Sequence, residues 1–219
     1  MSNYDESFEE LYVIYTLAMR KLEAELNNLF DAYKFNHPND DIVDHSKSRI
    51  KSFESATHKL KKRNYEVTPE NMEKNLCDMV GFRVVCPFTD DVYKVVRIIK
   101  NSGLFEILNE NDYIENPKES GYSSYHLDIS IPIRFKGENR MVCAEIQVRT
   151  MAMDLWATLD HKLRYKLSKD IQEELNPEFL ARAKDMTRFD YRMQCLRDEI
   201  MDMQNDESME KAKKMVKKR

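Results

Sequence analysis

Glycine and proline are scarce in this chain, four and six among 219 residues. That composition leaves little material for long flexible linkers or low-complexity segments, so extended disorder is not expected. No apolar run approaches the length that spans a bilayer. The nearest, residues 11–19, is short, carries two tyrosines and a threonine, and follows acidic residues rather than the basic start of a signal peptide. There is no excess of positive charge either: 35 Lys and Arg against 39 Asp and Glu give a net charge of -4. This argues against a surface given over wholly to nucleic acid and leaves room for a local anion site. The four cysteines, at positions 77, 86, 143 and 195, show no C-x-x-C spacing, and three sit in apolar or strand-like contexts. They read as reduced core thiols of a cytosolic protein.

What is present fits one domain, or one domain with helical extensions, large enough to bury a core. Residues 7–33 place Leu11, Ile14, Tyr15, Ala18, Leu22, Leu26 and Leu29 at helical spacing. After a polar break at 37–44, a second helix is expected from Ser46 as N-cap to Asn64. A third begins at Thr68, with Pro69 in its first position. The period then changes. Residues 79–88 read as a buried strand, and Thr89 as the cap of a helix carrying Val92, Val95, Val96 and Ile99 that stops at Gly103. Segments 104–113, 122–133 and 140–148 read as three more strands, with a turn at 136–139 between the last two. Helices are expected again over 150–166 and 177–203, before a charged tail, 207–219, that frays. The fold class is α/β (α+β), a mixed sheet between helical flanks, divided into a helical extension (1–45), a core (46–166) and a second extension with its tail (167–219).

Chemistry concentrates in few places. The run Lys118-Glu119-Ser120-Gly121-Tyr122-Ser123-Ser124-Tyr125-His126 is followed nineteen residues later by Glu145-Ile146-Gln147-Val148-Arg149-Thr150. A strand built only for packing has no need of Lys, Tyr, His, Glu and Arg so close together. Glu145 interrupts the apolar alternation of Val142, Ala144, Ile146 and Val148 and shares a face with Cys143 and Gln147. A carboxylate there must be paired, exposed or holding a metal. Asp78 stands at the entry to the first strand, and the pair Asp78 and Glu145 matches what a phosphate-bound Mg²⁺ takes from a protein, one or two carboxylates. Arg49 and Lys59 fall near one another at helical spacing and offer cations to polyphosphate. Tyr122 and His126, read as positions i and i+4 of one strand, project together, with Tyr122 suited to stack a base.

Five motifs in order carry a resemblance. They are R-x-K-x-x-x-S (Arg49, Lys51, Ser55), D-x-x-G-x-R (Asp78, Gly81, Arg83), D-Y-I followed by P-K-E-S-G-Y-x-S-Y-H (Asp112 to His126), E-I-Q-V-R-T (Glu145 to Thr150) and A-M-D-L-W-A-T-L-D-H-K-L-x-Y-K (Ala152 to Lys166). Together they resemble the synthetase domain of the RelA/SpoT family, and the chain looks most like a stand-alone small alarmone synthetase. The resemblance implies a nucleotidyltransferase-like core with a mostly antiparallel sheet of about five strands. It implies transfer of the β,γ-pyrophosphate of ATP to the ribose 3'-hydroxyl of GDP or GTP, giving AMP and ppGpp or pppGpp. By that likeness Lys51, Ser55 and Lys59 hold the ATP phosphates, and Arg49 and Arg83 sandwich adenine with planar guanidinium groups. Asp78 and Glu145 share Mg²⁺, and Glu145 is the base for the acceptor hydroxyl. Tyr122 stacks the acceptor guanine, Lys118 and His126 contact its phosphates or ribose, and Asp154 accepts from guanine N1 and N2. A homotetramer is implied as well.

No histidine is followed by Asp, so the H-D dipeptide of the alarmone hydrolase domain is missing, and the chain is expected to make its product without destroying it. Ser123 stands where relatives carry Arg or Gln, which leaves the choice among GMP, GDP and GTP open. Two other readings keep the same ATP site: a toxin-like relative acting on adenine nucleotides or tRNA 3' ends, and an inactive module binding nucleotides or single-stranded RNA.

Overall fold

The computed structural model describes residues 3–164 and 167–216. Tyr165 and Lys166, which close the last motif, and residues 217–219 of the tail lie outside them. The chain runs α1 (Asn3–Asn36), β1 (His45–Ile50), α2 (Phe53–Lys62), α3 (Pro69–Asn75), a short 3-10 turn (Cys77–Met79), β2 (Val80–Cys86), α4 (Thr89–Asn101), β3 (Glu106–Asp112), β4 (Tyr125–Phe135), β5 (Glu138–Thr150), α5 (Met151–Arg164) and α6 (Lys169–Val216). The five strands form one sheet in the order β1-β2-β5-β4-β3. Only β2 and β5 run parallel; the other three pairings are antiparallel, as a mixed, mostly antiparallel sheet requires.

Alternation along the strands divides the sheet into an apolar and a polar face. Val80, Phe82 and Val84 of β2, Leu127, Ile129 and Ile131 of β4, and Val142, Ala144, Ile146 and Val148 of β5 are buried in one core with α1 and α4. From α1 that core takes Leu11, Ile14, Tyr15, Ala18, Leu22 and Leu26. Six such side chains contribute at most on the order of 10 kcal/mol of hydrophobic stabilisation, enough to fix which face of the sheet is dry.

Four expectations need correction. Residues 46–50 are not the start of a helix: they form β1, an edge strand paired only with β2, and the helix begins after Ser52, whose Oγ accepts the Ser55 amide at 3.2 Å. Ser46 resembles a cap, but the cross-strand ladder to β2 takes its backbone. Thr89 is inside α4 rather than its cap. The free Asp90 amide donates instead to Oε1 of Gln194 on α6, at 3.3 Å. Pro177 does not open the last helix; it lies within α6, which continues through Val216 rather than fraying at 207. Finally, Cys77 and Cys143 are joined in a disulfide and neither belongs to the buried core, while Cys86 is buried and free and Cys195 is half-buried and free. Alternation explains it: Cys143 falls on the polar face of β5, where the 3-10 turn brings Cys77. No helix among the described residues is long and apolar enough to cross a membrane.

Candidate active site

The polar face of the sheet is where the chemistry collects. Register places Arg49, Gly81, Glu145, Asp128 and Asn109 in one row across all five strands. The next row is Lys47, Arg83, Gln147, His126 and Asn111. Residues directly opposite in neighbouring strands have Cβ atoms roughly 5 Å apart, so each row is a line of side chains in reach of one another.

Asp78 enters from the 3-10 turn at the end of this face. Its Oδ2 takes two ammonium groups, Lys51 at 3.0 Å and Lys59 at 2.7 Å, one from the residue just after β1 and one from α2. Burial alone would raise the Asp78 pKa, but the Lys59 hydrogen bond and the two positive charges outweigh it and hold the carboxyl below its ordinary range. Its other oxygen, Oδ1, is buried and has no hydrogen-bond partner among the described residues. A buried carboxylate oxygen left unsatisfied is expensive. It is what a cation ligand looks like in the protein alone.

Glu145 is the second carboxylate. Its Oε1 meets Nδ1 of His126 at 3.1 Å, and its Oε2 accepts from the Gln147 amide. Burial pushes its pKa up, and His126 and Gln147 more than compensate, with Asp78 near enough to oppose them. The net direction is down, so Glu145 is ionised at neutral pH. From Glu145 a chain of hydrogen bonds leads away: His126 Nε2 meets the Tyr122 hydroxyl at 2.9 Å, and Arg149 Nη2 donates to that hydroxyl at 2.9 Å. With Nδ1–H donated to Glu145, Nε2 is the acceptor for the tyrosine O–H, so one tautomer satisfies every member. Both ring nitrogens of His126 are therefore engaged within the protein.

Tyr122 reaches this chain from a loop, not from a strand: β4 begins only at Tyr125. Gly121, at φ +83°, turns the chain, and a Cβ there would lie 2.4 Å from that of Ala183 on α6. Lys118 lies 4.3 Å from the ring centroid of Tyr113 and 5.0 Å from that of Tyr122, so an ammonium and a guanidinium flank the Tyr122 ring. Ser123 is occupied at 2.9 Å with the Tyr113 carbonyl.

Two clefts open on this face, and a small pocket of about 90 Å³ between the strands shares Asp78 and Glu145 with one and Arg49, Arg83 and Gln147 with the other. The larger, about 670 Å³, is lined by Arg49, Lys51, Ser55 and Arg83, with Tyr122, Gln147 and Arg149 on the floor and α5 along one wall. The smaller, about 330 Å³, contains Asp78 and Glu145 with Lys59, Lys118, His126 and Asp128. Ten of the eleven residues singled out from the sequence thus line these two clefts. The eleventh, Asp154, stands apart: its carboxylate is held by Arg83 at 3.0 Å and Arg149 at 3.4 Å. No group of three or more His, Cys, Asp or Glu suited to a metal is found among the described residues.

Sequence reasoning missed several residues. Asp128 is half-buried directly opposite Glu145, its pKa raised by burial first and by Glu145 among its neighbours, in spite of the Asn109 hydrogen bond. The signal was available, since position 128 follows His126 by two on the same strand face. Gln147 and Arg149 follow Glu145 in the same alternation. On α5, Thr158, His161 and Lys162 line the larger cleft at helical spacing from Asp154.

The family described as "Region found in RelA / SpoT proteins" matches residues 48–170, more than half of the chain. The chain belongs to the RelA/SpoT family. Its similarity to the GTP pyrophosphokinase YwaC of Bacillus subtilis is 35% identity over 195 residues, covering 89% of this chain and 92% of YwaC. The fold matches the crystal structure of small alarmone synthetase 1 from Bacillus subtilis bound to its product pppGpp, with a TM-score of 0.81 and 28% identity over 90% of this chain and 99% of that one. A second crystal structure of that RelA/SpoT synthetase, bound to AMPCPP, gives a TM-score of 0.76 and 27% identity over 90% and 99% of the two chains. The motifs that suggested a small alarmone synthetase thus lie within a matching fold of nearly the whole length.

Proposed function

We propose that this chain is a GTP diphosphokinase: it moves the β,γ-pyrophosphate of ATP to the ribose 3'-hydroxyl of GDP or GTP, releasing AMP and forming ppGpp or pppGpp. The observation that carries this reading is the placement of Asp78 and Glu145 in a small pocket with Arg49 and Arg83, beside two cation-lined clefts, in a chain similar to a GTP pyrophosphokinase over most of its length. Two clefts suit two nucleotides, and the small pocket that shares residues with both suits a group passing from one to the other. The structures of a related synthetase with AMPCPP and with pppGpp support the same pair of ligand classes.

In this reading ATP takes the part of the larger cleft lined by Arg49, Lys51, Ser55 and Arg83 and reaches Lys59 in the smaller one, while the acceptor lies between Tyr122 of the larger cleft and Lys118 of the smaller. Arg49 and Arg83 would enclose the adenine with flat cations, and Lys51, Ser55 and Lys59 would receive the phosphates. Asp78 Oδ1 and a Glu145 oxygen would hold Mg²⁺, which supplies charge neutralisation at the phosphates and a lower pKa for a hydroxyl close to it. The acceptor lies against Tyr122 and Lys118, with its 3'-hydroxyl at Glu145. Glu145 accepts the hydroxyl proton, the 3' oxygen bonds to the β-phosphorus, and the bond from that phosphorus to the α,β-bridging oxygen breaks, leaving AMP. Because Glu145 is ionised but only weakly basic, His126 would act by orienting it, itself held by Tyr122 and Arg149. The negative charge gathers on phosphate oxygens already crowded with charge, so positioning and cations do most of the work.

The same reading makes the protein cytosolic and oligomeric. Leu155, Leu159 and Leu163 of α5 and Leu175 of α6 are exposed and line one apolar groove, which fits association between copies, a homotetramer by likeness to the family. The experiment that tests the activity incubates the protein with ATP, Mg²⁺ and each of GMP, GDP, GTP and ATP, and separates products by anion exchange. The expected products are AMP and a 3'-pyrophosphorylated guanine nucleotide, with Glu145→Gln slowed by about 100-fold or more. Full activity in Glu145→Gln, or product only from ATP as acceptor, would overturn the assignment.

A further inference from the structure

The one disulfide among the described residues sits at the proposed chemistry rather than in the core. Cys77 is the residue before Asp78, and Cys143 is two before Glu145 on β5, hence on the same face. Their Cα atoms are 4.7 Å apart although 66 residues separate them in sequence. Cys77 lines the smaller cleft beside Asp78 and Glu145, and both sulfur-bearing residues are half-buried, so a small reductant has a route to the bond. The link therefore ties the turn that carries one carboxylate to the strand that carries the other.

The geometry points to Cys77 and Cys143 as a redox modification site, a thiol–disulfide couple that sets the spacing of Asp78 against Glu145 and with it the affinity for the Mg²⁺-bound nucleotide. This rests on the metal reading given above. A dithiol reductant opens the bond: its thiolate attacks one sulfur, the S–S bond breaks, and its second thiol resolves the mixed disulfide. Two electrons and two protons pass to the protein, leaving two cysteine thiols and the cyclic disulfide of the reductant. A small-molecule disulfide or diamide oxidant runs the couple in reverse. Once reduced, the turn that carries Asp78 is no longer tied covalently to β5 and is free to shift against it. A misplacement of about 1 Å at a reacting centre is felt strongly. Oxidation holds the two carboxylates at one spacing, so the oxidised protein binds the cation more tightly. In a reducing compartment the bond would form only transiently, as redox-sensing disulfides do, and its formation would raise synthesis at limiting Mg²⁺.

The test uses the full chain, oxidised with diamide or reduced with dithiothreitol. Maleimide labelling after denaturation, read by intact mass, should count two thiols in the oxidised protein and all four cysteines in the reduced one. Calorimetry with Mg²⁺ and a non-hydrolysable ATP analogue, and the Mg²⁺ dependence of product formation, should show a half-saturating Mg²⁺ concentration about fivefold higher after reduction, the loss expected when a preorganised site is loosened. Cys77→Ser alone and Cys77→Ser/Cys143→Ser should sit at the reduced value with or without dithiothreitol, while Cys195→Ser should behave as the parent. Four thiols after diamide treatment would remove the bond itself. A change from two thiols to four with unchanged Mg²⁺ and nucleotide affinity would remove the coupling. Equal activity without Mg²⁺ in both forms would sink the metal reading and the coupling together, with the thiol count still reporting on the bond.

Discussion

Replacing Gly121 by alanine should cost stability through two separable effects, and the structure supplies a control for each. The first is conformational: at φ +83° an L-residue occupies the left-handed region, roughly 1–2 kcal/mol less favourable for alanine than for glycine. The second is steric, because the new Cβ would lie 2.4 Å from that of Ala183 on α6. Relieving more than about 1 Å of overlap in a packed contact typically costs about 1–3 kcal/mol. Gly137, in the hairpin between β4 and β5, has φ +86° and nothing within 4 Å of its ideal Cβ, so Gly137→Ala bears the first effect alone. The difference between the two variants, about 1–3 kcal/mol, is then the contact with α6. Urea unfolding at constant m-value measures it. The double variant Gly121→Ala/Ala183→Gly should recover most of that difference, less about 1 kcal/mol for glycine inside a helix. Steady-state kinetics add a second readout, since the loop displaced by the clash carries Lys118 and Tyr122, and KM for the acceptor should rise more than KM for ATP. Equal losses at 121 and 137, or no recovery with Ala183→Gly, would refute the argument that α6 braces the acceptor loop.

Three further outcomes follow from the site and its surroundings. His126→Asn should retain the fold but lower kcat by about 10- to 100-fold with little change in KM for ATP, because it breaks the hold on Glu145 without touching the ATP cleft; a KM effect alone, read in initial-rate kinetics, would contradict this. Asp128→Asn removes a negative charge from the acceptor cleft and should raise kcat/KM for GTP relative to GMP severalfold at low salt, and an unchanged ratio in competition assays would refute it. Asp190, buried against Thr150, has its pKa pushed up to about 6, chiefly by burial and in spite of the Thr150 hydroxyl. The folded protein therefore binds more protons than the unfolded chain between pH 4 and 6, so this group's contribution makes stability fall as pH rises through that window, by up to about 3 kcal/mol. Asp190→Asn should flatten that part of the profile and be more stable than the parent at pH 7.5, measured by urea midpoints.

The fold was legible where burial leaves a period. Leu11, Ile14, Ala18 and Leu22 mark one face of α1, Thr68-Pro69 announces α3, and the alternating valines and isoleucines of β5 give its inner face. β1 was not legible, because an edge strand with one side to the cleft and the other carrying Ser48 against Glu23 at 3.2 Å has no apolar alternation to show. Its extended form is imposed by β2, a partner thirty residues away in sequence that leaves no local trace. The site divides in the same way. Asp78 and Glu145 stand out because a carboxylate beside or within an apolar strand is anomalous, while Asp128 and Arg149 carry only the fainter signal of even spacing from His126 and Glu145, and the register sets Asp128 opposite Glu145. The link between Cys77 and Cys143 had no signature at all, since proximity across 66 residues is a property of the sheet and not of spacing.

The grip of Lys51 and Lys59 on Asp78 has a consequence for how the protein loads. On the proposed reading, the two ammonium groups assigned to nucleotide phosphates already share one carboxylate oxygen before any nucleotide arrives, and the trio carries a single net positive charge. Arrival of a nucleotide with its ion would then be a change of partners: the lysines would turn from carboxylate to phosphate while the carboxylate turns from lysine to cation. On that reading the nucleotide and its ion complete the exchange together, and free Mg²⁺ or free ATP alone satisfies only half of it.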